Sequence, residues 1–327
     1  MGTFSRIAIG LIGIATTTFG AILIYRHYID IQKLRNIKIL RAKREVPSAD
    51  SIPSNHVARS QKNDKLDSSI SPEEIRHLVS LLPSANTTKF FKIMKTLIQL
   101  SNDNTNIPSF SSHDILDKLY SQLTLGGDGE FLRSVNVHVL NLFTNLVVDE
   151  SIRDHLKVKI DQFFDAKMSA LNMNEMVALF RLLGNFSMLN DSAKAVAEHF
   201  SEIFGFIAHE SAPVRRQAWT ILLNLSCEPD CVLIMLKSSV SNEVDEILRN
   251  PFWEKDEIIL SKSLKFLCNI YRSLPLLDYG KFSRESLYTN LLKTKDNLKL
   301  QTELHLSQVS STEEIYEDIQ RLSEILE

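Results

Sequence analysis

Cysteine is nearly absent from the 327-residue chain, which contains only Cys227, Cys231 and Cys268. Three cysteines cannot close a disulfide framework, and such sparse use is typical of proteins kept in a reducing compartment. Cys227 and Cys231 stand four positions apart, but no histidine or third cysteine lies close enough in sequence to complete a zinc pattern. The sequence therefore predicts neither a disulfide scaffold nor a metal site.

Glycine and proline are also scarce, with ten and nine residues respectively. A protein built from strands and tight turns needs more of both, so their scarcity favours helices. The hydrophobic fraction of 44% excludes a mainly disordered chain, and the 24% of charged residues suits the solvated faces of helices.

Signatures of catalysis and of nucleic-acid binding are missing as well. The chain has no P-loop, no GxGxxG, no GxSxG and no HExxH sequence. Its net charge is only −3, which gives no reason to propose a nucleic-acid partner. We therefore predict a protein that is not an enzyme, uses no cofactor and binds no nucleic acid.

The N-terminal region carries the one long uncharged run. Residues 7–25 contain no charged side chain, and as a helix they extend about 28 Å, enough to cross the hydrocarbon core of a bilayer. A cleaved signal peptide is the alternative, although its apolar region should be shorter and should end in small residues. The sequence predicts a transmembrane helix over 7–25, with the lipid bilayer as its partner.

Basic residues follow this run rather than precede it. Residues 26–44 hold seven lysines and arginines, whereas only Arg6 stands before the run. By the positive-inside rule, the long C-terminal part then lies in the cytosol. Residues 45–70 are polar with no apolar period, which predicts a disordered linker. A moderate span with a basic flank suits the mitochondrial outer membrane or the endoplasmic reticulum.

From residue 71 onward an apolar helical pattern recurs. Each run has an asparagine near its end, at Asn145, Asn185, Asn224 and Asn269. An earlier run of the same shape ends with Gln99 in place of asparagine. Intervals of about 40 to 46 residues, made only of helix signals, indicate a stack of two- or three-helix units. We predict an all-α solenoid over 71–327, with long third helices at about 88–101, 131–148, 174–189, 213–226 and 256–273.

Capping and turn residues mark the ends of several predicted helices. Ser71 is a predicted N-cap, residues 126–129 predict a break, and 286–306 resemble a degenerate last unit. Residues 311–314 predict a capping box that opens a closing helix. We expect its apolar stripe of Ile315, Ile319, Leu322 and Leu326 to face inward.

The segment from Val214 to Ser226, VRRQAWTILLNLS, resembles the third helix of an armadillo repeat. Together with the N-terminal span, basic flank and linker, the layout is similar to the membrane-anchored armadillo group, the X-linked armadillo-repeat proteins and their autosomal relative. This resemblance implies a single-pass protein of the mitochondrial outer membrane with a cytosolic solenoid, and the endoplasmic reticulum is the alternative. It also implies a role in mitochondrial transport, distribution or dynamics through GTPase–motor-adaptor complexes.

Two other functions remain open at this point. One is a regulator of cell growth or survival that sequesters a signalling or transcription factor at the membrane. The other is a membrane-shaping protein whose solenoid has no ligand. The expected partners in the main hypothesis are cytosolic proteins or peptides.

The asparagine series is the candidate binding site. A primary amide both donates and accepts, so a row of amides could pair with the backbone of an extended peptide. Alternatively, each asparagine ties down a neighbouring helix end. Nuclear-import armadillo proteins carry tryptophan four residues earlier, whereas this chain has Asn141, Arg181, Thr220 and Lys265 there. With Arg216, the residues Asn141, Arg181 and Lys265 complete the predicted partner groove.

Overall fold

The computed structural model describes residues 70–165, 168–240, 242–274, 282–308 and 312–327. They belong to one compact unit that begins at Ser69. The predicted span 7–25, the basic flank 26–44 and the linker up to residue 69 lie outside the described residues. Ile70, the last predicted linker residue, is held by the fold. Its N–H donates to Asn106 Oδ1 at 3.1 Å, and its carbonyl accepts from Ser109 Oγ at 2.6 Å.

The unit is all-helical, as predicted. The described residues contain no strand beyond a single bridge between Ser239 and Ser286. In chain order the α-helices are α1 (Pro72–Ser80), α2 (Thr87–Ser101), α3 (His113–Tyr120), α4 (Glu130–Leu146), α5 (Glu150–Lys157), α6 (Ile160–Asp165), α7 (Met173–Phe186), α8 (Asn190–Ala197), α9 (Phe200–Gly205), α10 (Ala212–Leu225), α11 (Pro229–Lys237), α12 (Asn242–Arg249), α13 (Glu257–Ser273), α14 (Leu287–Gln308) and α15 (Glu313–Leu326). Short 3₁₀ helices span Ile107–Phe110, Met168–Ala170, Phe206–Ala208 and Pro251–Trp253.

The long helices α2, α4, α7, α10, α13 and α15 pack one against the next in that order. The first five lie where third helices are predicted, so the repeat period is confirmed. In α10, the predicted face of Val214, Ala218, Ile221, Leu222 and Leu225 is fully buried. Burying each large aliphatic side chain contributes about 1.5–3 kcal/mol, which is why the apolar spacing determines how the helices stack.

A polar contact joins α4 to α7 inside this core. Asn136 and Glu175 are both completely buried. The Asn136 amide nitrogen donates to Glu175 Oε1 at 2.7 Å and to the carbonyl of Thr124 at 2.9 Å. Glu175 Oε2 also accepts from the backbone N–H of Asn172, which closes a capping box at the start of α7. Buried polar groups need such partners, so this contact fixes the register of the two helices.

Most predicted helix ends are confirmed. Ser71 caps α1 in a complete capping box with Glu74, and the chain turns with positive φ at Gly126 and Gly129. At positive φ a side chain would clash with its own backbone, which is why glycine stands at both positions.

At the C-terminal end, α15 begins one residue later than predicted. Its N-cap is Thr312, whose side chain makes no capping hydrogen bond. The capping box predicted for 311–314 depends on Ser311, which lies outside the described residues, so it stays a prediction. Ile315, Ile319, Leu322 and Leu326 are buried as predicted. The region 286–306, predicted as a degenerate last unit, lies almost entirely in the single helix α14.

Within the described residues, no single helix is long and apolar enough to cross a bilayer. Helices α10 and α11 reach that length and composition only as a pair that is bent by 118°.

Candidate protein-binding face

One side of the stacked third helices carries Gln99, Asn145, Asn185, Asn224 and Asn269, and we call it the asparagine face. Asn145, Asn185 and Asn224 are each the penultimate residue of their helix, and Asn269 stands four residues before the end of α13. All four asparagines are half-buried, whereas Gln99 is exposed. The repeat therefore brings these amides into one row.

Each asparagine donates to the end of the preceding third helix. Asn145 Nδ2 reaches Ser101 Oγ and Asn102 Oδ1, both at 2.9 Å. Asn185 Nδ2 reaches the carbonyl of Thr144 at 2.7 Å. The last carbonyls of a helix have no partner in the helix itself, so these bonds satisfy groups that the fold would otherwise leave unpaired.

The same contact recurs further along the face. Asn224 Nδ2 donates to the carbonyl of Gly184 and to Ser187 Oγ, both at 3.0 Å. Asn269 Nδ2 donates to Ser226 Oγ at 2.9 Å and lies 3.6 Å from the sulfur of Cys227. All four asparagines thus tie down a neighbouring helix end, and binding of a peptide by the same amides stays a prediction.

The amide oxygens of the four asparagines take no part in these contacts. None of the four Oδ1 atoms accepts a hydrogen bond from a described residue, whereas the amide nitrogens are engaged. The asparagine face consequently presents a row of hydrogen-bond acceptors. Such a row can receive the N–H groups of a partner but has few amide hydrogens to offer its carbonyls.

An open depression of about 380 Å³ lies at the N-terminal end of this face. We call it the basic depression, and it is lined by Lys95, Ile98, Gln99, Asn102, His138, Asn141, Asn145 and Arg181. Lys95 and Arg181 are exposed, and the described residues that line the depression include no carboxylate. Of the predicted site residues it brings together Asn141, Asn145 and Arg181.

The imidazole of His138 is oriented by its own helix. Its Nδ1 lies 2.8 Å from the carbonyl of Ser134, and since a carbonyl can only accept, Nδ1 carries the hydrogen. The ring also packs against Phe91, with centroids 5.0 Å apart. The remaining nitrogen, Nε2, is therefore the one available to a ligand.

Sequence reasoning missed Lys95, although a signal for it exists. Lys95 precedes Gln99 by four residues, the same offset that relates Asn141 to Asn145 and Arg181 to Asn185. The asparagine runs by themselves do not reveal it. Extending the same offset to the glutamine run identifies Lys95.

The C-terminal part of the asparagine face has a different electrostatic character. Arg216 forms an ion pair with Asp256, which itself accepts from the N–H groups of Ile258 and Ile259 at the start of α13. Lys265 Nζ lies 2.7 Å from Glu314 and 3.5 Å from Asp318 on α15. Both residues belong to the predicted partner groove, and both are half-buried and paired within the fold.

Thr220 and Lys262 fill the space between these pairs. Thr220, the residue four before Asn224, is buried and accepts a hydrogen bond from the ammonium of Lys262. Burial, with the neighbouring charge of Arg216, lowers the pKa of Lys262 to about 8. Desolvation also raises the pKa of the Asp318 carboxyl. Trp219 packs in the core against Phe266, with centroids 5.5 Å apart.

No group of three His, Cys, Asp or Glu side chains that could hold a metal ion occurs within the described ranges. Cys231 and Cys268 are buried thiols, whereas Cys227 is exposed.

Comparison with known proteins identifies the fold. Residues 130–289 match the model of the Armadillo-like family. A designed armadillo repeat protein superimposes with a TM-score of 0.57 at 13% identity, over 77% of this chain and 100% of the other. A second designed armadillo repeat protein, solved in complex with the peptide (KR)4, gives 0.53 at 15% identity over 78% and 100%. An engineered protein gives 0.57 at 14% identity over 77% and 96%.

At these identities the structural matches establish the fold alone. A comparison with the curated proteins found no match. The chain carries an armadillo-like repeat region within an all-helical solenoid.

Proposed function

We propose that this protein is an organelle-anchored scaffold that holds cytosolic proteins on its asparagine face. The row of free Oδ1 atoms at Asn145, Asn185, Asn224 and Asn269 carries this proposal, because the N–H groups of an extended segment are its natural complement. The designed armadillo protein with a bound (KR)4 peptide shows that this fold can hold a peptide.

Anchoring is the second part of the proposal. The uncharged residues 7–25 and the basic residues 26–44 favour a single membrane span with the solenoid in the cytosol. The resemblance to the membrane-anchored armadillo group favours the mitochondrial outer membrane. A tethered scaffold raises the local concentration of its partner, so weak contacts on the asparagine face are sufficient.

The biological role then depends on location and binding together. A scaffold on the mitochondrial outer membrane that recruits GTPase–motor-adaptor complexes would act in mitochondrial transport, distribution or dynamics. On the endoplasmic reticulum, the same arrangement would sequester a factor that controls growth or survival.

Anchoring is tested with a full-length tagged copy imaged against mitochondrial and endoplasmic markers. We expect overlap with the mitochondrial marker and retention in the membrane pellet after alkaline extraction. Removal of residues 2–44 should release the protein. Retention of that shortened chain in the pellet would contradict the single-span proposal.

Recruitment is tested with the double variant Lys95→Glu/Arg181→Glu in the full-length chain. Both side chains are exposed, so the variant should stay anchored and folded while the distribution of the organelle changes. Lys237→Glu on α11 is the matched control, since Lys237 is exposed but lies outside the basic depression. An unchanged distribution in the double variant would favour the membrane-shaping alternative instead.

A further inference from the structure

Two cations approach the basic depression from opposite sides of α4. Lys95 lies on α2 and Arg181 on α7, and no described carboxylate lies within ion-pair distance of either. Packed helices are about 8–10 Å apart, so the long side chains of both residues can reach over the middle helix. Asn141 of α4 lies between them in the same depression. The site is therefore complementary to an anion.

The depression also contains an acceptor that lacks a donor. Asn141 Oδ1 is buried and has no hydrogen-bond partner among the described residues. An unpaired buried acceptor destabilises a fold, and a ligand N–H would relieve that destabilisation. A ligand that fits must consequently combine a negative charge with an N–H donor.

The neighbouring amide narrows the class of ligand further. Asn145 Oδ1 lies one helical turn beyond Asn141 and is also without a donor among the described residues. An extended polypeptide presents N–H groups along its whole length, at about 3.3 Å per residue. A residue inside a partner helix has already used its N–H group within that helix.

We propose that the basic depression is a subsite for an acidic residue in an extended segment of the partner protein. The carboxylate of that residue pairs with Lys95 and Arg181, and a main-chain N–H of the same segment donates to Asn141 Oδ1. This inference rests on the proposed function, because it requires a protein partner on the asparagine face. It adds that the partner segment is negatively charged, whereas a (KR)4 peptide is positively charged.

The C-terminal part of the face does not offer a second subsite of this kind. Arg216 and Lys265 are the corresponding cations, and Asp256, Glu314 and Asp318 already pair with them. An acidic segment would have to displace carboxylates that the fold itself supplies. The subsite is thus confined to α2, α4 and α7.

The test uses the full-length chain in detergent and three fluorescein-labelled peptides of about ten residues, a length that spans three third helices. The peptides alternate serine with glutamate, glutamine or lysine. We expect fluorescence anisotropy to give at least tenfold tighter binding for the glutamate peptide than for the other two. Raising the salt concentration should weaken that preference, because exposed charges are screened.

Variants locate the subsite. Lys95→Gln/Arg181→Gln should remove the tenfold preference, and Lys237→Gln should retain it. Asn141→Ala should weaken the glutamate peptide about threefold or more with no loss of thermal stability, since its oxygen has no partner in the free protein. Far-ultraviolet circular dichroism confirms that each variant is folded before binding is measured.

Equal binding of the lysine peptide would overturn the proposal, as would an unchanged glutamate preference in the folded double glutamine variant. Either result leaves the scaffold function standing, because anchoring and recruitment are measured in cells without these peptides. The scaffold function fails separately if the anchored glutamate double variant leaves organelle distribution unchanged while the peptide preference holds.

Discussion

The two ends of the asparagine face use the same kind of residue in opposite ways. At the N-terminal end, Lys95 and Arg181 border an open depression with no acidic neighbour. At the C-terminal end, Arg216 and Lys265 are paired with Asp256, Glu314 and Asp318. A basic residue at the same repeat position is therefore available to a partner in one region and part of the fold in the other.

The difference arises from the charges that the next helix in the stack presents. Helix α15 presents Glu314 and Asp318 to α13, and Asp256 caps the start of α13 next to Arg216. Helix α7 presents no carboxylate to the depression above α4, because Glu175 points into the core to meet Asn136. Position in a repeat thus does not by itself determine whether a cation is available to a partner.

The sharpest way to break this comparison is to make the same substitution at both ends. Arg216→Glu should reduce the free energy of unfolding by about 4 kcal/mol, since it places a carboxylate against Asp256 in a partly buried site. Arg181→Glu should change it by less than about 0.5 kcal/mol, because Arg181 is exposed and unpaired among the described residues. Urea unfolding of the full-length variants measures both. Equal losses would show that the two arginines have the same environment.

A second prediction concerns pH and the buried Lys262. Its pKa in the fold is about 8, below the ordinary value of 10.5, so the unfolded chain binds more protons above pH 8. The contribution of Lys262 to stability should therefore rise with pH, by about 1.4 kcal/mol between pH 7 and pH 9.

Lys262→Met removes the titrating group and should abolish this rise relative to the wild type. Burial raises the pKa of the Cys231 and Cys268 thiols from 9.0 to about 11, so their ionisation in the unfolded chain lowers stability toward pH 9. This loss is common to both proteins, so the difference between wild type and Lys262→Met isolates the contribution of Lys262. A wild type and a methionine variant with identical pH profiles would show that the fold does not desolvate the Lys262 ammonium.

The smallest predicted effect is a difference in stability between alanine variants of two asparagines, Asn224 and Asn141. Asn224→Ala should cost about 1 kcal/mol, because it removes the bonds to Gly184 and Ser187 that join α10 to α7. Asn141→Ala should cause no loss of stability, because the oxygen that it removes has no partner among the described residues. Thermal unfolding of both variants tests this order, and a larger loss at Asn141 would reverse it.

The helical stack could be predicted from the sequence because its causes are local. The apolar spacing of Val214 to Leu225 and the cap at Ser71 each lie within one segment, and both are found in the structure. The candidate site was harder to predict, because its ion pairs join residues that lie far apart in the chain. Lys265 meets Glu314 and Asp318 only after α15 packs on α13, so its exposure could not be read from its own helix.

The asparagines illustrate the same limit. Their row was predictable from the period, and a tie to a neighbouring helix end was one of the two roles expected for them. The individual acceptors were not predictable. They include Ser101, Thr144, Gly184 and Ser226, each at or near the end of the preceding third helix. Only the packing of successive repeats shows that the oxygens are what remain for a partner.

The most direct test of the account maps which part of the asparagine face an acidic peptide contacts. A photo-crosslinking benzophenone amino acid is placed at Gln99, which lines the basic depression, or at the exposed Arg272, which follows Asn269 on α13. Each full-length protein is irradiated with the labelled glutamate–serine peptide. We predict an adduct at position 99 at least five times stronger than at 272. Equal or stronger labelling at position 272 would contradict the account.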